Sequence, residues 1–282
     1  PQDHGQKGMK QPQDHSGHHR HQKPGPKVCA PEDGQPAGHC PGGHDPFDPE
    51  VRQGCNPYSA NPTALGLALF LELGVRVTGP IDPVSGFVID VMKIDEVVRQ
   101  EAVPLFVEGI RDRYSQHRPV GLSDVASLLR TAQGHLSGRL GTALVDALRL
   151  KLSPFRYLEI RTGDPDMVYY SEMFEFAAMH RLWNQALSTA ENLALFGKCA
   201  HPAGHGHNYR MEVIVRVRSD QAIDVMGLER VVDDRILQVV DHRSLNVDVP
   251  YFAQCNPTME NIARFAWHGL LGELGPADLY CI

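Results

Sequence analysis

The sequence predicts an α+β protein, an antiparallel β-sheet with helices packed on one face. Three observations carry this. Met211, Val213, Val215 and Val217 alternate with Glu212, Ile214, Arg216 and Arg218, the period of two that gives a strand one apolar face. Directly downstream, Leu228, Val231, Val232, Ile236, Val239 and Val240 recur at helical spacing. An earlier stretch repeats the order: apolar runs with a Gly/Pro-rich turn between them, then a long segment of helical period. Strands that come together before their helices argue for an α+β layout rather than alternating βαβ units.

At 282 residues the chain has room for two modest domains, and its 42% hydrophobic content suffices for a buried core. The net charge of −7, with no basic stripe, argues against nucleic acid as a partner. No run is long and apolar enough to suggest a membrane span, and the polar first residues do not form a signal-peptide pattern. The six cysteines are too scattered over this length for a disulfide-stapled scaffold, so a reduced, cytoplasmic protein is expected.

Residues 1–60 read as a polar leader rich in Pro, Gly, Gln and His. Seven of the 15 histidines fall at or before His44, while apolar residues are too few to offset the entropy of ordering by burial. Cys29, His39, Cys40 and His44 have zinc-like residue types but match no strong ligand spacing. A first folded region is expected over 61–169. Residues 67–78 favour a strand, 79–86 a turn and 87–91 a second strand. Helical spacing follows over 94–110, with Pro104 expected to kink it. Further helices are expected over 122–130 and 136–150, then a strand over 155–160. His117 and His135 read as surface or packing residues.

A second folded region is expected over 170–282. Strands near 171–180 and 208–218 should pair, and 222–225 reads as the next strand. The helix over 228–240 runs straight into Asp241-His242, which places both groups at a helix end facing the sheet. Asn256-Pro257-Thr258 should start another helix, Pro257 in its first turn and Thr258 or Asn256 capping it, running to about residue 274. Residues 278–282 begin a last strand.

The chemistry concentrates between these elements. His205 and His207 are two apart, so in a strand they share a face. His180 ends an alternating stretch and is the best third imidazole. Three such ligands suit zinc with one position left open. A His-Gly-His sequence alone fits a polar turn equally well, but Cys199 stands six residues before His205, with Pro202 and Gly204 bending the chain between them.

The residues Leu187-Ser188, Glu191-Asn192, Phe196-Gly197-Lys198-Cys199 and Gly204-His205-Gly206-His207-Asn208-Tyr209 resemble the signature of the 6-pyruvoyl-tetrahydropterin synthase family, to which the 6-carboxy-tetrahydropterin synthases are close relatives. Asp241-His242-Arg243-Ser244-Leu245-Asn246, Asp248-Val249-Pro250-Tyr251-Phe252 and Pro257-Thr258-Met259-Glu260-Asn261 extend the resemblance over about residues 171–282. It implies tandem tunnelling-fold (T-fold) domains: a degenerate first copy over 61–169, lacking His-Gly-His and carrying Arg161 where the family has an acidic group, and a catalytic copy over 170–282.

The resemblance also implies a reaction. The substrate is 7,8-dihydroneopterin triphosphate. Zn2+ sits on His180, His205 and His207. Cys199 is the base, and His242, oriented by Asp241, is its proton partner. Triphosphate is eliminated, and internal redox completes the change without nicotinamide or flavin. Thr258 and Glu260 are the implied substrate contacts, although Glu260 equally suits the positive start of its own helix. A structural site closed by Cys199 as fourth ligand competes with this reading. So do the carboxy-forming reaction of the queuosine pathway, which releases acetaldehyde, and a non-catalytic pterin-binding or assembly role. Family assembly implies a homotrimer or a dimer of trimers.

Overall fold

The computed structural model describes residues 71–282. The expected leader, with Cys29, His39, Cys40 and His44, and the first part of the expected strand at 67–78 lie outside the described residues.

The first strand, β1 (Glu72–Thr78), alternates half-buried and exposed residues. The expected second strand at 87–91 does not form. Asp82 gathers the turn instead, accepting the amides of Val84 at 2.9 Å and Ser85 at 2.7 Å on one side-chain oxygen, and its own amide bonds the Phe87 carbonyl. Asp90 then accepts the Met92 amide and caps α1 (Val91–Glu101). With the backbone groups bonded locally, no ladder is left to build. The long helix expected over 94–110 is two helices, α1 and α2 (Val103–Ser115), broken at Ala102; Pro104 sits in the first turn of α2, where it removes no bond.

The helix α3 (Leu122–Leu136) runs further than expected, to Leu136. The expected helix at 136–150 is corrected: Gly138 and Gly141 turn the chain at φ 74° and 63°, and β2 (Leu144–Ser153) follows. Its apolar residues fit a helix period nearly as well as a strand. Ladders offered on both sides, by β1 and by β3 (Arg156–Arg161), decide the outcome.

The longest strand is β4 (Asp164–His180), 17 residues. It pairs with β3 from Glu172 to Asp164 and with β5 (His205–Arg218) from Met167↔Arg218 to His180↔His205. The expected boundary between residues 169 and 170 therefore falls inside a strand that both regions share. On β5, Tyr209, Met211, Val213, Val215 and Val217 are buried, as the alternation requires.

The strand expected at 222–225 is also corrected. Asp224 accepts the Gly227 amide and caps α5 (Val225–Val232), which continues through a π-helical stretch, Asp233–Leu237, into α6 (Gln238–Val240). The tetrapeptide Ile-Asp-Val-Met thus occurs twice, at 89–92 and at 223–226, each time after a strand and each time with its Asp capping a helix. After α6 come β6 (Arg243–Ser244), α7 (Leu245–Asp248), α8 (Met259–Leu270) and β7 (Asp278–Cys281). Pro257 lies before the Thr258 cap of α8 rather than inside the helix, and α8 ends at Leu270, short of 274.

The strands form one sheet in the order β1-β2-β3-β4-β5-β7, antiparallel throughout, with β6 added parallel to β4. A polar row, Arg149, Glu159, Tyr169, Arg216 and Asp278, crosses five adjacent strands. Glu159 is 1% exposed within it, ion-paired with Arg149 at 2.7 Å and Arg161 at 2.6 Å. A second buried carboxylate, Glu172, accepts from Arg156 and the Tyr170 hydroxyl, and Arg156 also pairs with Glu229 of α5. No helix among the described residues is long and apolar enough to cross a membrane.

Candidate metal centre and its surroundings

The pairing of β4 with β5 runs to its last residue, setting His180 opposite His205 and Ala178 opposite His207. Gly204 makes this end possible. Its φ is 71°, and a Cβ there would lie 2.8 Å from the His180 carbonyl oxygen, so only glycine fits. His180, His205 and His207 each offer a ring nitrogen, and these three atoms lie within 4.8 Å of one another. The Nε2 atoms of His180 and His205 are 3.2 Å apart. Two nitrogens on one tetrahedral zinc ion span about 3.3 Å, so the donor set fits such an ion.

His180 is the buried member. Its Nδ1 donates to the Pro257 carbonyl at 2.7 Å, which leaves the Nε2 lone pair facing the other two rings. Burial lowers its pKa, and the His205 and His207 rings lower it further, against the raising effect of the Pro257 bond. The ring is therefore kept neutral, the form that binds a metal.

Cys199 reaches this centre on a separately fastened loop. Ser188 and Glu191 form a capping box at the start of α4 (Thr189–Phe196). The fully buried Asn192 amide donates to the carbonyls of Asn184, Leu187 and Ser188 and accepts the Asn184 amide. A 3₁₀ turn, Gly197–Ala200, carries Cys199; its carbonyl accepts the Leu182 amide, and that of Ala200 accepts from Arg181. The sulfur ends 3.7 Å from His205 Nε2.

Asp241 faces the sheet at the end of α6, as expected from sequence, whereas the His242 side chain is largely exposed and meets the sheet only through its amide. One Asp241 oxygen accepts the Ala177 amide at 2.8 Å, and the other pairs with His242 Nδ1 at 2.8 Å. The His242 amide donates back to the Ala177 carbonyl, with φ 55°. The Ala177 amide, then the His242 ring, hold the Asp241 carboxyl below its usual range. The His242 side chain is 82% exposed and shares an open cavity of about 670 Å³ with His207, Asn208 and Asp248. Its hydrogen bonds run to Asp241 and Ala177, and none joins it to Cys199. The centre therefore has two separate parts, a thiol beside His205 and an Asp–His pair beside Ala177.

Thr258 caps α8, accepting the Asn261 amide at 3.4 Å. Glu260 is exposed in the same turn; its own amide, then the Thr258 hydroxyl, lower its pKa. Neither residue lines the cavity at His242, nor a second one of about 750 Å³ bounded by His180, Arg181, Trp183, Asn246 and Cys255.

Sequence reasoning assigned no role to several residues that build this centre. Asn246 brackets Arg181, accepting its amide and donating to its carbonyl, and Asn256 accepts the Trp183 amide. Tyr209 is 6% exposed and stacked on Phe176, with ring centroids 4.9 Å apart, and its hydroxyl has no hydrogen-bond partner among the described residues. Burial, then the nearby Cys199, push the phenol pKa up. These contacts join residues far apart in the chain, so no local sequence signal marks them.

The family model described as 6-pyruvoyl tetrahydropterin synthase matches residues 169–281. The 6-pyruvoyl tetrahydrobiopterin synthase of Homo sapiens is 42% identical over 114 residues, 39% of this chain and 79% of that protein. That of Drosophila melanogaster is 39% identical over 108 residues, 37% of this chain and 64% of that protein. Among solved structures, the 6-pyruvoyl tetrahydropterin synthase of Caenorhabditis elegans is 36% identical, covering 40% of this chain and 84% of that one, with a TM-score of 0.38.

Proposed function

The chain belongs to the 6-pyruvoyl tetrahydropterin synthase family, and from that premise we propose that it is a zinc-dependent carbon–oxygen lyase acting on 7,8-dihydroneopterin triphosphate. The reaction eliminates triphosphate and rearranges the side chain by internal redox. The observation that carries this reading is the meeting of three imidazoles with the Cys199 sulfur 3.7 Å from one of them.

His180, His205 and His207 would hold zinc, which supplies Lewis-acid polarisation of the substrate's side-chain hydroxyls. Cys199 takes a proton from a side-chain carbon. Asp241 holds His242 by Nδ1, leaving Nε2 free at the cavity wall to exchange protons with the substrate. Thr258 directly follows Pro257, whose carbonyl orients His180, Glu260 lies in the first turn after it, and on this reading they meet the substrate side chain. The first half is a degenerate copy of the second. The repeated Ile-Asp-Val-Met, capping a helix after a strand both times, supports that descent. Assembly as a homotrimer or a dimer of trimers belongs to the same reading.

The test is to incubate zinc-loaded protein with dihydroneopterin triphosphate and identify the products by mass. A diketo pterin without acetaldehyde supports the proposal. Acetaldehyde with a carboxylated pterin moves the chain to the carboxy-forming reaction. Tight pterin binding without turnover overturns catalysis altogether.

A further inference from the structure

We propose that the cavity walled by Arg181 and Trp183 is the subsite for the triphosphate tail of the substrate, and that the Arg181 guanidinium is the cation that holds it. The identity of the tail rests on the synthase reading; that the cavity takes a polyphosphate rests on the cavity itself.

Two cavities border the three-histidine centre. His180 lines the one of about 750 Å³, and His207 lines the one of about 670 Å³. They share a wall, Met179 of β4 paired with Ser244 of β6. In dihydroneopterin triphosphate the two hydroxylated carbons stand between the ring and the tail. With those hydroxyls at the metal, ring and tail leave in different directions, and each needs a space of its own.

Charge decides which cavity takes the tail. The smaller one is lined by both Arg243 and Asp248, one charge of each sign. The larger one is lined by Arg181 and by no Asp or Glu; Asn184, Gln185, Gln254 and Asn256 supply amides around it. A cation without a carboxylate beside it draws the more highly charged end of the substrate.

The guanidinium is also held ready. Asn246 accepts the Arg181 amide at 2.7 Å and donates to its carbonyl at 3.0 Å, which fixes the backbone. The side chain lies over the Trp183 ring, 3.9 Å from its centroid, and Nε donates to the Ala200 carbonyl at 3.1 Å. Neither terminal nitrogen has a hydrogen bond or ion pair to another described residue. A guanidinium stacked on one face and spent at Nε presents those two nitrogens as a planar fork, which matches two phosphate oxygens.

Calorimetry with inorganic triphosphate on the zinc-loaded full-length protein reads the subsite without the pterin. Metal content is measured after each titration, because triphosphate chelates zinc. Arg181→Gln should weaken binding at least about tenfold, the loss of about one charge-assisted hydrogen bond. Arg243→Gln should change it less than about twofold. Basic groups elsewhere act alike in wild type and both variants, so they cancel in the comparison. In wild type, saturating triphosphate should slow phenylglyoxal modification of Arg181, followed on its own peptide, at least about tenfold. That arm needs no variant and stands even where R181Q fails to fold, which circular dichroism checks. Dihydroneopterin, which lacks the tail, should bind wild type and R181Q alike. Unchanged triphosphate affinity in R181Q, a larger loss in R243Q, or no protection of Arg181 overturns the proposal; turnover of dihydroneopterin triphosphate by wild type would then keep the synthase reading alive. Arg181-dependent triphosphate binding by a protein that takes up no dihydropterin sinks the synthase reading and leaves the polyphosphate subsite standing.

Discussion

His180 and His205 hold their Nε2 atoms 3.2 Å apart across the last pair of the β4–β5 ladder. The two rings alone gain little from that approach, whereas an ion between them would use a lone pair from each. Metal removal is therefore expected to cost stability as well as turnover. Chelator-treated protein should unfold at a lower temperature. Zinc restored at about 100 times its dissociation constant should return about 2.7 kcal/mol. His180→Ala should abolish that gain, and calorimetry with and without zinc checks it. An unchanged melting temperature on metal addition would count against the centre.

Cys199 is a base on the present reading, not a ligand. Cys199→Ala should leave one zinc per chain at the histidines while lowering kcat by at least about a hundredfold. Metal analysis must be set beside the rate, with His180→Ala as the blank for metal held elsewhere. Loss of the histidine-bound zinc in the alanine variant would instead identify a structural, four-ligand site.

Asp241 has two tasks on two oxygens. Asp241→Asn can still accept the Ala177 amide, so the end of α6 should stay docked and the far-ultraviolet spectrum unchanged. The charge that orients His242 is gone, and kcat should fall about 10- to 100-fold with KM moved far less. A fall confined to KM would show that the pair binds substrate rather than moving protons.

Glu159 gives a pH dependence whose sign is fixed. Burial alone would raise its pKa, but hydrogen bonds and charge from Arg161 and Arg149 outweigh that and leave it lowered. A carboxyl lowered in the fold adds stability above its unfolded value, and that stability is lost as the pH falls through the folded pKa. Glu159→Gln should cost about 2 kcal/mol at neutral pH, less than a fully enclosed pair because the Arg149 side chain is 44% exposed. It should also flatten the fall in stability between about pH 5 and pH 3. Urea titrations across that range read both effects; parallel curves for the two proteins would refute the assignment.

Much of the centre was legible because its signals are local. The alternation along β5 and the two-residue spacing of His205 and His207 survive in a bare sequence, and so does the helix that ends at Asp241. The errors have two causes. Residues 87–91 and 222–225 carry strand-type side chains, but Asp90 and Asp224 divert the backbone into helix caps. Residues 144–150 fit either period, and only the neighbouring strands choose between them. The bonds of Asn246 to Arg181 and the unpaired Tyr209 hydroxyl depend on residues far apart in the chain, so no local pattern announces them.

The length of β4 has a consequence for how this chain can change. One strand is laced to β3 near its start and ends in His180, one of three imidazoles that could hold a metal, so the first half acts as a jig for the second. A slip of one residue anywhere along that edge would swing the ring of His180 to the wrong side. Side chains along β3 can therefore be exchanged with little effect on the centre, whereas an insertion or deletion within its ladder to β4 cannot be absorbed.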